Sequence, residues 1–161
     1  MFLLTTSCGQ RADNKESVKI YDIPFFRHQI DGVHINTALL EIMACEYPYI
    51  DYPDVVKRAS EGSKEDIYLL CSLQFDCGFI YEHGSVLVDL IEILGEDKCV
   101  DMMKDIDYDQ AIYFDTYISV GLCYGWRYGN NPDYDYRIKD IYPRIDSLLL
   151  SKERSGDTAP I

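Results

Sequence analysis

Apolar residues recur along this chain at three- and four-residue spacings through most of its length, and strand-like alternation is nearly absent. Ile35, Leu39, Ile42 and Met43 mark a first helix that opens near Asn36 and ends by Pro48. Asp51-Tyr52-Pro53-Asp54 reads as the start of a short second helix, with Pro53 in its first turn, stopping by Gly62. Ser63-Lys64-Glu65-Asp66 has the form of a capping box with Asp in place of Glu. The helix it opens carries Ile67, Leu70, Cys71, Phe75, Gly78 and Phe79, and is expected to end near His83-Gly84, where glycine suits a left-handed cap. Ser85 then starts another, with Val86, Leu87, Leu90, Ile93 and Leu94 inward and Gly95 as its stop. A further short helix runs from Glu96 to Asp105 with Val100 and Met103 inward. Asp107-Tyr108-Asp109 caps a helix reaching about Gly121, with Ile112, Tyr113, Thr116 and Val120 as its inward positions. Residues 125–132 read as a loop. The last helical segment, from about Asp133 to Lys152, carries Ile138, Ile141, Ile145, Leu148 and Leu149, and Pro143 inside it predicts a kink or break.

These elements predict an all-α protein, an irregular bundle or a short stack of helical hairpins. A chain of 161 residues fits one domain with an ordinary core. The helical pattern places that domain at residues 20–152, with 20–26, interrupted by Pro24, as an extended arm packed on it. Residues 9–19 are polar and turn-rich, suiting a flexible tether, and 153–161 read as a disordered tail. No apolar stretch is long enough to span a bilayer.

Charge changes the picture most. There are 28 acidic and 15 basic residues, a formal net charge of −13, so the surface repels nucleic acid and anionic lipid and attracts a basic protein partner. The 14 tyrosines, against six Phe and one Trp, interleave with the acids. Tyr47, Tyr49 and Tyr52 lie among Glu46, Asp51 and Asp54. Tyr108, Tyr113 and Tyr117 lie among Asp105, Asp107, Asp109 and Asp115, and Tyr124, Trp126, Tyr128, Tyr134 and Tyr136 accompany Asp133 and Asp135. Each group has two readings: aromatic anchors rimmed by carboxylates, suited to a basic partner, or core aromatics beside solvated acids. On the first reading the partner-binding set is Asp105, Asp107, Asp109, Tyr108, Trp126, Tyr128, Asp133, Tyr134 and Asp135.

Reaction chemistry finds little footing. Asp105, Asp107 and Asp109 alternate as calcium-loop ligands do, but Gln110 occupies the position of the turn glycine and Thr116 that of the bidentate glutamate. Asn131, Asp133 and Asp135 fail in the same way, with Tyr136 and Tyr142 at those places. Both clusters read as helix N-terminal carboxylates. His28 and His34 have no carboxylate at ligand spacing, and His83 is expected at a helix C-terminus, where the dipole favours it. No nucleophile elbow or phosphate loop occurs, and Gly84-Ser85 reads as a stop followed by a start. Gly121, Gly125 and Gly129 are four apart in what reads as a loop region. The residues call for no cofactor and no metal, and they point to a binding protein, not an enzyme.

The N-terminus, Met1-Phe-Leu-Leu-Thr-Thr-Ser-Cys8-Gly9-Gln10, resembles the end of a bacterial lipoprotein signal, a short apolar run and small residues leading to a cysteine. The resemblance implies that Cys8 is the lipidated first residue of the mature protein. Thr5 stands where the pattern usually has leucine, and the basic and fully apolar regions are missing, which implies that Met1 lies inside a longer signal. Were Met1 the true start, the protein would instead be cytoplasmic. With Cys8 lipidated, Cys45, Cys71, Cys77, Cys99 and Cys123 remain, an odd number without C-x-x-C spacing, read mostly as small buried hydrophobes. Size, anchor and acidity together are similar to the immunity lipoproteins of Bacteroidota-type bacteria. That resemblance implies a helical protein held by lipid at the periplasmic side of the envelope, its only membrane contact, which blocks a basic toxin. An accessory or structural envelope lipoprotein is the alternative, and a metal- or small-ligand-binding protein a third.

Overall fold

The computed structural model describes residues 27–75, 78–125, 127–128 and 136–156. Cys8, the 9–19 tether, the 20–26 arm, Cys77, Trp126, Asp133, Tyr134, Asp135 and residues 157–161 lie outside the described residues. The protein is all-α. Its helices are α1 (Thr37–Glu46), α2 (Tyr52–Glu61), α3 (Lys64–Ser72), α4 (Phe79–Leu94), α5 (Glu96–Met103), α6 (Tyr108–Tyr124), α7 (Ile138–Ile141) and α8 (Pro143–Gly156).

They are preceded by a small antiparallel hairpin that the helical periodicity did not anticipate, β1 (Arg27–Ile30) and β2 (Val33–Asn36), with Ile30 opposite Val33 and Arg27 opposite Asn36. Its turn is Asp31-Gly32, both at positive φ (48° and 91°), the two-residue loop whose twist matches paired strands. Val33 and Ile35 alternate inward at 0% exposure, and Asn36 then caps α1 by accepting from the Ala38 N–H.

α4 is the axis of the molecule. Every residue from His83 to Ile91 is buried, with β2, α2, α5 and above all α6 packed around it. The expected helix end at His83-Gly84 is therefore corrected: α4 runs straight through both residues and through Ser85. Gly84 is needed for space, not for a left-handed cap. A Cβ there would fall 2.2 Å from the Tyr117 carbonyl oxygen, and one at Gly121 would fall 2.3 Å from the Gly84 carbonyl oxygen. The backbones of α4 and α6 touch at these two glycines, so Gly121 lies inside α6 and the helix continues to Tyr124.

The preceding helix ends earlier than its apolar spacing suggests, at Ser72. Leu73 is extended, and tyrosine hydroxyls from distant parts of the chain, one just after α1 and one in α6, take the backbone groups that follow. Tyr117 donates to the Leu73 carbonyl (2.5 Å), and Tyr47 donates to the Gln74 carbonyl (2.8 Å) while accepting from the Gln74 N–H (3.0 Å). Where stops were expected at Gly62 and Gly95, both residues take positive φ (103° and 83°). Pro143 produces a full break: α7 ends at Ile141, and Glu96 Oε1 caps α8 by accepting from the Arg144 and Ile145 N–H groups. α8 extends to Gly156, past the expected boundary at 152.

His83 sits at the centre of this junction, 0% exposed and boxed by Phe75, Tyr52 and Tyr117. Its Nε2 lies 2.9 Å from the Leu70 carbonyl, which can only accept, so Nε2 carries the proton. Nδ1 then accepts from the Tyr52 hydroxyl at 2.6 Å. The ring is locked as a neutral tautomer, and burial holds its pKa down at about 4. This placement overturns the expectation that His83 lies at a helix C-terminus and is explained by the dipole there.

Two outcomes follow from this geometry. Gly84→Ala forces the α4 and α6 backbones apart and lowers unfolding free energy by about 3 kcal/mol or more, whereas Gly78→Ala, with nothing within 4 Å, changes it by less than about 1 kcal/mol; urea unfolding of the two variants checks this. The folded state binds fewer protons at His83 than the unfolded chain between pH 6.5 and about 4, so the contribution of His83 to stability falls as pH drops through that window and is constant below it. The slope from this residue is about 1.4 kcal/mol per pH unit, measured as the difference between the parent protein and His83→Gln in urea unfolding across pH.

Candidate functional site

The N-terminal end of α6 carries four of the expected partner-binding residues, and the structure gives them different tasks. Asp107 is the helix cap: its Oδ1 accepts from the Gln110 N–H (2.8 Å), and Gln110 Oε1 accepts from the Asp107 N–H (3.2 Å). Asp105 pairs with Lys64 Nζ at 2.7 Å, and that bond holds its carboxyl below the usual carboxylate range. Asp109 lies exposed in the first turn, where the helix dipole favours it. Tyr108 is 42% exposed and turns toward α8.

Tyr108, Ile112, Asp115 and Thr116 follow one another at helical spacing along the outer face of α6, and Leu149 and Glu153 face them from α8. Together with Ala111 they line a shallow groove that encloses about 70 Å3 and is open to solvent. Ala111 and Leu149 are buried and Ile112 stands 41% exposed. Thr116 contributes no free hydroxyl hydrogen, because its Oγ1 donates to the Ile112 carbonyl. Half-burial, with the charges of Glu153 and Asp146 nearby, raises the Asp115 carboxyl above its ordinary range. Among the described residues no lysine or arginine ion-pairs with Asp115, Asp146 or Glu153.

The expected inward positions of α6 are corrected here. Ala111, Phe114, Tyr117, Ile118, Gly121 and Leu122 face the core, while Ile112 and Thr116 face solvent and Tyr113 and Val120 are only half-buried. α6 is apolar on more than one face, so its periodicity admits two registers. A helical projection puts Tyr108, Ile112 and Asp115 together on a face that adjoins the one carrying Phe114 and Ile118, and that face is the groove wall.

Tyr128, expected as a partner anchor, belongs to a second constellation on the far end of α4. Its hydroxyl donates to Glu92 Oε1 (2.8 Å), to which Tyr142 also donates (2.6 Å), and its ring rests edge-on to Tyr136 at 5.3 Å. One turn earlier Asp89, at 0% exposure, accepts from the His34 N–H (2.9 Å) and from Arg127 Nε (3.0 Å), with His34 Nδ1 at 3.1 Å. A buried carboxylate needs such partners, and these join the hairpin and the segment around Arg127 to α4. Tyr128 is thus half-buried and bonded within the fold. The structure does not bring it together with Tyr108.

The remaining aromatic groups divide between core and surface. Tyr52, Tyr117 and Tyr142 are core, whereas Tyr49 is 98% exposed and Tyr124 62% exposed, the latter edge-to-face with Tyr81 at 4.9 Å. Of the cysteines, Cys71 and Cys99 are buried with thiols pushed up by burial, Cys99 to about 12, while Cys45 is exposed, against expectation. Among the described residues no three His, Cys, Asp or Glu side chains converge as a metal site, and no helix is long and apolar enough to cross a membrane. Comparison with protein-family models, with curated proteins and with solved structures finds no match.

Proposed function

We propose that this protein binds a basic partner protein through its acidic, tyrosine-bearing surface and is not an enzyme. In its most specific form, it is an immunity lipoprotein that neutralises a toxin delivered to the periplasm. The observation that carries the binding reading is the α6–α8 groove, where exposed Tyr108 and Ile112 stand beside carboxylates without basic counterparts among the described residues. Aromatic and aliphatic groups of this kind supply burial on association, and uncompensated charge supplies steering. The surplus of acids over bases gives the chain as a whole the same sign of charge. The resemblance of Met1–Cys8 to a lipoprotein signal supports an anchor at Cys8 and a periplasm-facing position. The same charge disfavours nucleic acid, and the lipid is the proposed means of membrane attachment.

Two measurements test this reading. Expressed from its gene in its native host, the protein fractionates with membranes and Cys8→Ser releases it; a variant that stays membrane-bound removes the anchor. Presented with a cell-envelope extract, the protein retains a basic protein whose association rate falls about tenfold when salt rises from about 0.05 to 0.5 M, as screening of charge steering requires. An acidic partner, or association indifferent to salt, overturns the binding reading.

A further inference from the structure

The groove between α6 and α8 is selective in shape and charge. Its floor is Ala111 and Leu149, 3% and 4% exposed; Tyr108 and Ile112 form walls, and the carboxylates of Asp115 and Glu153 share the lining. The space it encloses is only about 70 Å3, far below the range of small-molecule sites, and suits part of one side chain better than a cofactor. An anion is repelled by Asp115, Glu153 and Asp146. A small hydrated cation leaves the apolar floor unused. A wholly apolar side chain would cover the floor and bury Asp115 further without a counter-charge, a costly arrangement.

We infer that this groove is the anchor point for the basic partner, seating one lysine or arginine side chain of an amphipathic segment. The methylene stem lies along Ile112 and Leu149, the charged head meets Asp115 and Glu153, and an adjoining apolar residue rests on Tyr108. Lysine and arginine join an apolar stem to a charged head, and the lining offers both surfaces. Asp115 adds a second reason. Its burial and the acids of α8 already disfavour its ionised form, so a seated cation gains its own attraction and relieves that repulsion as well. The inference rests on the reading of the protein as a binder of a basic partner.

The probe is an acetylated, amidated helical peptide of leucine and lysine carrying a fluorophore, with a twin in which one central lysine is norleucine. Peptide titrated into the whole protein shifts the methyl resonances of Ile112 and Leu149. Fluorescence anisotropy gives an affinity about tenfold weaker for Asp115→Asn/Glu153→Gln, the size expected for losing charge-assisted bonds. The norleucine twin loses a similar factor against the parent protein and little against the double variant. Glu41→Gln/Asp101→Asn removes the same net charge at exposed positions on α1 and α5 and changes affinity less than about twofold. All four positions lie outside the buried core, and matched thermal melts confirm that the variants fold. Equal weakening by both double variants, or methyl shifts confined to residues outside the groove, overturns the groove assignment and leaves the broader reading standing. A peptide that does not bind at all overturns both.

Discussion

The contact of backbone with backbone at Gly84 and Gly121 is the constraint on which this fold rests. Two helices ordinarily approach to about 8–10 Å between axes, set by the side chains between them. Here a methyl group on either glycine would overlap a carbonyl of the opposite helix. That closeness sets His83 and Tyr117 ring against ring at 4.7 Å. Tyr117 reaches the Leu73 carbonyl from there, and His83 reaches the Leu70 carbonyl and the Tyr52 hydroxyl. The start of α2, the end of α3 and the connection into α4 are therefore positioned by groups from α4 and α6, Tyr117 lying 44 residues beyond Leu73.

The acids of this protein separate by task. Some serve the fold: Asp66 takes two bonds from Arg58, Asp89 takes His34 and Arg127, Glu92 takes two tyrosine hydroxyls, and Glu96 caps α8. Arg58 holds the Asp66 carboxyl low, which adds stability above the carboxylate range and loses it as pH falls through it. Asp115 has the opposite sign. Its raised pKa means that the folded state disfavours its charge, so at neutral pH the fold carries it at a cost. A protein that pairs and caps with so many carboxylates, and leaves this one raised beside Glu153 and Asp146, is asymmetric at the α6–α8 face.

Much of the architecture was legible in the residues. The all-α class, the caps at Asn36, Asp51, Ser63 and Asp107, and the breaks at Gly62, Gly95 and Pro143 all express local chemistry, and local chemistry is what periodicity and capping rules record. Asp31-Gly32 is an equally local signal for the hairpin, but the two four-residue runs that flank it are too short for alternation to stand out. The other differences are non-local. Nothing near Ser72 says that α3 must stop, since the tyrosines that take the next carbonyls come from Tyr47 and Tyr117. Nothing near Gly84 distinguishes a cap from a crossing, since the partner backbone is α6. Tyr128 and Tyr108 read alike in sequence, and only the position of Glu92 makes one a brace and leaves the other free to line a groove.

α6 joins these two parts of the molecule. Its inner face, from Ala111 through Phe114, Tyr117, Ile118 and Gly121 to Leu122, is fixed against α4 by a contact that tolerates no added atom. Its outer face carries Tyr108, Ile112 and Asp115 at the spacing of the same helix, so their positions are inherited from the core. α8 meets them with Leu149 and Glu153, itself capped by Glu96 and held by Arg144 to Asp97. A groove whose two walls are both braced in this way requires little reordering to receive a side chain, which lowers the entropic cost of association. The same rigidity explains why the carboxylates remain crowded: α6 and α8 cannot separate to relieve Asp115 without breaking the contacts behind them. On the proposed reading, the relief that the fold does not supply internally comes from a cation brought by another chain.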